Sequence, residues 1–257
     1  MIDLDMLRQI NDSCFEARYR IVQGRGYLRP SSLGQPAVNL LARKLYGCTY
    51  NPEQDLKRHM RFGLGVFAEL LLAEQLMLEG YTINTVQPQF DVYPGVKGSG
   101  DFIVSKDGES TLIDCKAVSK SSYDKAGKVM SRLSQVYQTQ MALYQRIWGS
   151  EAAWLYLNKN SAETKLIRFE VNPTTLSLLK RADSLCDILP KITSWKEAAT
   201  LNIFTPALTD SGYVPESMMW SEYLDLFYLD LKPVGSYAYK ATGVRLPDEL
   251  DKMAYKV

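Results

Sequence analysis

Residues 99–116 read SGDFIVSKDGESTLIDCK, and the pattern of this stretch predicts a β-hairpin. Two short runs of β-branched and apolar residues, Phe102–Val104 and Thr111–Ile113, flank a polar segment centred on Asp107-Gly108. An Asp-Gly pair between such runs is one of the strongest short-range signals for a hairpin with a two-residue type I′ turn. A turn of that length also sets the register of the two strands.

The predicted register brings two acidic side chains together at the open end of the hairpin. The pairs that follow from the turn are Lys106–Glu109, Val104–Thr111, Phe102–Ile113 and Asp101–Asp114. Directly opposed residues in an antiparallel pair have Cβ atoms about 4.5–5.5 Å apart, and like charges placed there are destabilising. Strand alternation puts Lys116 on the same face as Asp114 and turns Cys115 away from it.

The acid pair predicts a divalent metal site. A strand that is apolar on both faces is typical of the centre of a sheet covered by helices, so its charged end is partly desolvated. Unpaired carboxylates are most costly in such surroundings. Mg²⁺ is usually bound through one or two carboxylates together with water and substrate phosphate. The alternative interpretation of these residues is an ordinary surface Asp–Lys pair on a hairpin.

The composition indicates a protein of the reducing cytoplasm that folds without disulfides. A chain of 257 residues is long enough for one full-sized domain or a domain with a smaller attachment. The most apolar stretch, Leu64–Leu78, is too short to span a bilayer, and we find no signal-peptide pattern. Four widely spaced cysteines without a CxxC pair argue against a zinc site or a secreted disulfide framework. These are Cys14, Cys48, Cys115 and Cys186.

The single histidine, His59, restricts the chemistry that the chain can perform. A Ser-His-Asp triad would have to use this residue, and a zinc site with several histidines is excluded. Hydrolytic chemistry in this chain is therefore expected to rest on carboxylates and lysine.

Charge is distributed unevenly, which favours the N-terminal part as a docking surface for a polyanion. The net charge is +1 overall, but residues 1–61 hold ten Lys/Arg against six Asp/Glu, and residues 205–257 hold five against eight. Arg29 with Ser31 and Ser32 can hold a phosphate at a helix N-terminus, although these hydroxyls equally suit a plain helix cap. A polar loop after Lys116 is a candidate DNA-contacting element or simply a solvated loop, and its lysines are Lys120, Lys125 and Lys128.

The elements around the hairpin predict an α/β fold with a mixed central β-sheet flanked by helices. Residues 62–78 read FGLGVFAELLLAEQLML and predict an apolar helix, in which Glu69 needs a partner such as an arginine, a hydrogen-bond network or a metal. Glu74 is the second choice for that role. We place a basic helical N-terminal region at 1–61, a core at 62–190 and an irregular C-terminal extension at 191–257. That extension is expected to pack on the core or on a partner subunit.

Four motifs, taken together, resemble the PD-(D/E)XK nuclease superfamily, and most closely its RecB-like exonuclease branch, which is common in phages. They are Glu69 in a helix, Gly100-Asp101, Ile113-Asp114-Cys115-Lys116 and Gln140-x-x-x-Tyr144. Each motif is loose by itself, but their order and spacing match as a set. Two positions depart from the usual pattern, because Asp114 replaces the more frequent glutamate and Gly100 stands where a proline is usual.

The resemblance implies a role for each motif residue. Glu69, Asp101 and Asp114 would be metal ligands, joined by the backbone carbonyl of Cys115. Lys116 would orient the attacking water or help to deprotonate it, with a pKa lowered if its ammonium is desolvated. The helix residues that would orient the centre and the DNA strand are Gln140 and Tyr144.

The same resemblance implies cofactors and further DNA contacts. Mg²⁺ is the expected ion, with Mn²⁺ as a substitute. Only Cys186 lies downstream of the core, so we predict no iron–sulfur cluster. Arg29-Pro30-Ser31-Ser32 and Arg61 resemble segments that precede the helical glutamate in phage members of the family.

The sequence therefore predicts a Mg²⁺-dependent DNA exonuclease that trims DNA ends for recombination or genome processing. Two alternatives stay open, a structure-specific endonuclease on the same fold and a non-cleaving DNA-binding protein. The expected partner is DNA, with a second copy of the chain or a recombination protein as further candidates. The expected location is the cytoplasm, which is the host cytoplasm if the chain is encoded by a phage.

Overall fold

A computed structural model describes residues 3–20, 28–47, 52–126, 132–201, 203–218, 221, 223–234 and 238–254, and of these the side chains outside 13–20, 52–62 and 132–134. The helices are α1 Leu4–Arg20, α2 Pro30–Leu33, α3 Ala37–Tyr46, α4 Pro52–Leu78, α5 Lys120–Lys125, α6 Arg132–Trp148, α7 Pro173–Ile188, α8 Trp195–Ala199, α9 Leu224–Phe227 and α10 Pro247–Ala254. The strands are β1 Thr82–Val86, β2 Gln89–Tyr93, β3 Val96–Ser99, β4 Phe102–Lys106, β5 Glu109–Val118, β6 Glu151–Asn158, β7 Thr164–Arg168, β8 Tyr228–Leu229, β9 Lys232–Pro233, β10 Tyr239–Lys240 and β11 Gly243–Val244.

The predicted hairpin forms between β4 and β5. Asp107 and Gly108 have φ angles of 53° and 84°, and both central residues of a type I′ turn require positive φ. The register is the predicted one from the turn outward, with the pairs Lys106–Glu109, Val104–Thr111 and Phe102–Ile113. The local turn signal therefore places β5, and with it Asp114 and Lys116, in the sheet.

The hairpin lies in a five-stranded mixed sheet with the strand order β1-β4-β5-β6-β7. Strands β5 and β6 run parallel, and the other neighbouring strands run antiparallel. This sheet, with helices packed against it, confirms the predicted α/β class. A separate hairpin of β2 and β3 precedes it. The sequence analysis did not predict β3, whose four residues include Gly98 and carry a weak strand signal.

Helices cover the sheet on both faces. On one face, α1 and α4 pack against the alternating apolar residues of the strands, and this cluster includes Ile10, Leu72, Leu76, Phe102, Val104, Ile113 and Leu155. Neighbouring residues of a strand point to opposite faces, so the buried side chains of Ile103 and Leu112 point to the other face. Helix α6 packs against β5 and β6. Strands β4 and β5 are therefore apolar on both sides, as their sequence indicated.

Helix α4 is longer than predicted, since it begins at Pro52 and not near Phe62. Proline is favoured in the first turn of a helix, and the acidic Glu53 and Asp55 suit the positive end of the helix dipole. The apolar pattern used for the prediction starts only at Phe62, because the first turns of α4 are mostly polar.

The chain forms two units, each made of two segments of the sequence. The first unit comprises Met1–Ser31 and Tyr50–Leu179, and the second comprises Ser32–Thr49 and Lys180–Val257. The first holds the five-stranded sheet with α1, α4 and α6. The second joins α3 to the C-terminal elements.

Contacts distant in sequence explain why α3 belongs with the C-terminal part. The Lys44 ammonium donates hydrogen bonds to three carbonyl oxygens, those of Leu189 at 2.7 Å, Pro190 at 2.9 Å and Ile192 at 2.5 Å. The Tyr46 ring stacks on Trp195 at 6.1 Å between centroids. The predicted C-terminal extension therefore packs around α3.

In the part of the chain that the structure describes, none of the helices combines the length and the apolar character needed to cross a membrane.

Candidate active site

Strand β5 carries an aspartate, Asp114, and a lysine, Lys116, two residues apart near its C-terminal end. Asp114 is buried, with 2% of its surface exposed, because the sheet and its helices enclose this part of β5. The Lys116 ammonium is in direct contact with Asp114 Oδ2. A buried carboxylate is costly unless it is paired, so this ion pair explains how Asp114 is tolerated in the absence of another cation.

Asp101 lies at the same place but does not form the predicted ladder pair with Asp114. The ladder between β4 and β5 ends at Phe102–Ile113. Asp101 instead donates its N–H to the Ile113 carbonyl at 3.2 Å, and its Oδ2 accepts a hydrogen bond from the Cys115 N–H at 2.5 Å. The prediction failed because a short acidic side chain can bond to nearby backbone and so leave the regular ladder.

Two further carboxylates act electrostatically on Asp101. Burial raises the pKa of Asp101 well above its ordinary value, and the negative charges of Glu69 and Asp114 raise it further. Lys116 and the Cys115 amide act in the opposite direction. The helix acid whose charge reaches Asp101 is thus Glu69, the first choice from the sequence. We call Glu69, Asp101, Asp114 and Lys116 the acid–lysine site.

Lys116 is an ammonium in this arrangement, contrary to the expected lowering of its pKa. Burial acts to lower the pKa, but the charges of Asp114 and Asp101 and the contact with the Asp114 carboxylate outweigh burial and raise it. With its proton retained, Lys116 can donate hydrogen bonds and supply positive charge.

Gln140 and Tyr144 lie on α6, which packs against β5, and they interact with each other close to the acid–lysine site. Gln140 Nε2 donates a hydrogen bond to the Tyr144 hydroxyl at 3.3 Å, and the Tyr144 ring packs on Phe90 at 5.1 Å. Tyr144 is buried, and burial together with the charges of Asp114 and Asp101 raises its pKa. The i, i+4 pair predicted from the sequence therefore forms close to the acids.

Two glycines let the chain before β4 pass close to this support. A Cβ at Gly98 would lie 2.8 Å from the Tyr144 hydroxyl oxygen, and one at Gly100 would lie 2.7 Å from Leu112 Cδ1. The Gly100 N–H also donates to the Pro88 carbonyl at 3.1 Å. Glycine at position 100 therefore fits this chain where a proline ring would not, which explains the departure from the usual motif.

Sequence reasoning missed two tyrosines beside Lys116. The Lys116 ammonium lies 5.0 Å from the centroid of the Tyr137 ring on α6. Tyr156 on β6 is the register neighbour of Lys116 across the parallel pair. Tyr137 precedes Gln140 by three residues and so lies on the same side of the helix. This spacing could have been recognised in the sequence. Tyr156 could be found only from the register of β5 with β6.

The donors of the acid–lysine site fit a hard divalent cation. Asp101 and Asp114 supply carboxylate oxygens, and the backbone of Cys115 points past the end of the β4 ladder toward Asp101. Mg²⁺ requires only one or two carboxylates besides water and phosphate. Within the described ranges, no three His, Cys, Asp or Glu side chains already form a metal-ligand group. In the structure, Asp114 contacts Lys116 and Asp101 accepts a hydrogen bond from the Cys115 amide.

The residues predicted to contact DNA differ in their exposure and in the elements that carry them. Lys120 and Lys125 are exposed on α5, which begins two residues after the end of β5. Ser31 is exposed, Arg29 is half-buried and Ser32 is buried. The two serines lie within α2, and Pro36 occupies the position before α3, so the predicted serine cap of that helix does not form. Lys128 and the side chain of Arg61 lie outside the described residues.

Neither a protein-family model nor a curated protein matches this chain. Among solved structures, the chain is similar to an alkaline exonuclease from Laribacter hongkongensis at 16% sequence identity. The match covers 68% of this chain and 94% of that chain, with a TM-score of 0.43. The same exonuclease in complex with dAMP is similar at 16% identity and the same coverage, with a TM-score of 0.45.

Proposed function

We propose that this protein is a divalent-metal-dependent deoxyribonuclease that hydrolyses phosphodiester bonds at DNA ends. The observations that support it are the contact of Lys116 with the buried Asp114 and the Asp101 carboxylate bonded to the Cys115 N–H on the same strand. The charge of Glu69 also acts on Asp101. Three acids beside one lysine are a costly combination in a buried place. The pattern is the one that the resemblance to PD-(D/E)XK nucleases implies, and Gln140 and Tyr144 lie behind it.

The proposed reaction is attack of water on phosphorus, with departure of the sugar oxygen. A Mg²⁺ or Mn²⁺ ion held by Asp101 and Asp114, with Glu69 and the Cys115 carbonyl nearby, would supply the charge that activates water and stabilises the transition state. Lys116 keeps its proton and donates hydrogen bonds to the water or to a phosphate oxygen. Gln140 and Tyr144 limit the movement of the strand end on which these groups lie.

Exposed lysines extend the site toward a nucleic-acid backbone. Lys120 and Lys125 lie on α5, which begins two residues after the end of β5, and both side chains are exposed. Phosphate contacts of this kind position a strand without reading its sequence. We therefore expect activity on DNA ends of any sequence, consistent with an exonuclease that trims ends.

The test is digestion of end-labelled linear DNA beside a covalently closed circle, with Mg²⁺, with Mn²⁺ and with EDTA. Release of label from linear DNA in either metal, with the circle left intact, supports the proposal. The variants Asp101→Asn, Asp114→Asn and Lys116→Met should each lower cleavage by about 10²- to 10⁴-fold, since each removes a group that acts on the reacting atoms.

A matched control is available in the same unit. Asp91 and Lys97 form an exposed pair at 3.7 Å, with 79% of each side chain accessible. Asp91→Asn and Lys97→Met remove the same chemical groups from a surface ion pair and should leave cleavage unchanged. Cleavage that survives all three site variants would refute the proposal. Cutting of the closed circle would instead identify an endonuclease, and DNA binding without cleavage in either metal would identify a binding protein.

A further inference from the structure

Lys116 and the proposed metal ion compete for the same carboxylate, that of Asp114. The Lys116 ammonium contacts Asp114 Oδ2, and this carboxylate is one of the two proposed ligands. A divalent cation on the Asp114 carboxylate would repel the Lys116 ammonium and so favour a shift of the lysine toward another partner. The Lys116 side chain is only 15% exposed, and a mostly buried ammonium without a partner is costly, so Lys116 needs another place that accepts positive charge.

Tyr137 provides such a place on the helix side. The Lys116 ammonium lies 5.0 Å from the centroid of the Tyr137 ring, within the range of about 6 Å over which an aromatic face attracts a cation. Lys116 therefore touches this ring while it is still paired with Asp114. A small rotation of a long lysine side chain is enough to exchange one partner for the other.

Tyr156 provides a neighbouring polar atom on the strand side. It is paired in register with Lys116 across the parallel strands β5 and β6, and it is 8% exposed. Burial raises the pKa of Tyr156 to about 12, and its hydroxyl interacts electrostatically with Tyr137 and Lys116. The phenol therefore stays neutral, and its oxygen can accept a hydrogen bond from the ammonium.

We propose that Tyr137 and Tyr156 are positioning residues that hold the Lys116 ammonium when Asp114 turns to a divalent cation. The inference rests on the proposed function, and it assigns these two tyrosines to metal loading and lysine placement. The tyrosines keep Lys116 within reach of the reacting phosphate after it leaves the carboxylate. They also lower the cost of separating Lys116 from Asp114, so they strengthen metal binding.

The experiment measures the Kd of Mn²⁺ by titration calorimetry without DNA, so its result does not depend on cleavage. Tyr137→Leu should weaken Mn²⁺ binding by roughly 3- to 30-fold, because it removes the aromatic face. Tyr137→Phe retains that face and should stay within about twofold of the wild type. Tyr156→Phe removes only a hydroxyl and should weaken binding by roughly 2- to 10-fold.

A second background separates lysine positioning from packing. In Lys116→Met no ammonium competes for Asp114, so Mn²⁺ should bind more tightly than to the wild type. Tyr137→Leu added to that background should leave the Kd unchanged. Thermal melts of all variants show whether each one is folded.

The outcomes distinguish the two proposals. If Tyr137→Leu binds Mn²⁺ as the wild type does, or if it weakens binding equally in the Lys116→Met background, the tyrosines only fill space and the inference is wrong. The proposed function survives that result, because cleavage by the wild type is measured separately. If the folded wild type binds no divalent ion, the proposed function fails, and this inference fails with it.

Discussion

Gly100 is the residue on which the position of Asp101 depends. It precedes the acid directly, donates its N–H to the Pro88 carbonyl and lies where a Cβ would be 2.7 Å from Leu112 Cδ1. Leu112 is fully buried and cannot move aside without disturbing the core. At the residue scale, the absence of a side chain at Gly100 therefore allows the backbone path that positions Asp101.

Replacing Gly100 should damage both stability and cleavage. We expect Gly100→Ala to lower the free energy of unfolding by about 1–3 kcal/mol, through overpacking against Leu112. Gly100→Pro should cost about 1 kcal/mol more, since it also removes the N–H that bonds to Pro88. Urea denaturation gives the stability, and release of labelled nucleotide gives the rate, which should fall in both variants as Asp101 is displaced.

The control for this prediction is Gly65 in α4. A Cβ there would meet nothing within 4 Å, and its helical setting favours alanine over glycine. Gly65→Ala should raise the free energy of unfolding by up to about 1 kcal/mol. If Gly100→Ala keeps wild-type stability and full activity, Leu112 can shift to accommodate the added methyl group. The close contact of Gly100 with Leu112 would then not be required.

Residue-scale sequence reasoning predicted the register of the hairpin but not the partner of Asp101. The turn signal correctly placed Asp114 and Lys116 at the end of β5, because the register follows from Asp107-Gly108 alone. It could not give the partner of Asp101, since a ladder pair and a side-chain bond to the Cys115 amide differ by little in free energy.

At the scale of elements, α5 is the short helix that follows β5, the strand of Asp114 and Lys116, and it carries exposed lysines. The sequence predicted a loop over these residues, and the structure has a helix from Lys120 to Lys125. Tyr123 holds it in place, because its hydroxyl donates to the Thr164 carbonyl at 2.8 Å. Lys120 and Lys125 therefore lie at the two ends of a helix that this hydrogen bond joins to β7.

Removal of the α5 lysines should weaken DNA binding in a salt-dependent way. Each phosphate contact that is lost reduces the slope of log K against log salt concentration by about 1. The double variant Lys120→Gln/Lys125→Gln should therefore lower this slope by up to about 2, and bind labelled duplex more weakly at low salt. Fluorescence anisotropy in EDTA measures binding without cleavage.

A matched pair of lysines serves as the control for α5. Lys232 and Lys240 are exposed residues of the second unit, in the acidic segment 205–257. Lys232→Gln/Lys240→Gln removes the same charge and should leave the slope unchanged. Equal effects of the two double variants would mean that only the total charge matters, and that α5 makes no phosphate contact of its own.

Helix α4 shows how far periodicity reaches at this scale. Its apolar half was predicted from Phe62 onward, and Glu69 lies on it. The polar half was missed, because its sequence carries no apolar period. Strand β3 was missed for the related reason that Val96–Ser99 is too short to show a period.

At the scale of the whole molecule, metal binding should stabilise the fold. A ligand that binds only the folded state adds about 2.7 kcal/mol at 100 times its Kd. For a chain of this size we expect Mn²⁺ at that concentration to raise the Tm by about 5–10 °C. Differential scanning calorimetry, with and without the ion, measures the shift.

The thermal shift should disappear with the carboxylate that causes it. Asp114→Asn should show no Mn²⁺-dependent change in Tm, whereas Asp91→Asn on the surface should shift as the wild type does. A shift that persists in Asp114→Asn would place the stabilising ion elsewhere on the chain. This prediction concerns binding alone, so it holds for a nuclease and for a protein that binds metal without cleaving DNA.

The sequence by itself determined the β4–β5 turn and register, the mixed α/β class and the acids and lysine at the strand end. These features depend on neighbours along the chain, namely turn conformation, strand alternation and apolar runs. Only the tertiary structure decided that Asp101 turns to the Cys115 amide, that two tyrosines flank Lys116 and that α3 joins the C-terminal elements. Such contacts link segments far apart in sequence, and their free energy comes from burial and charge pairing that exist only once the chain has folded.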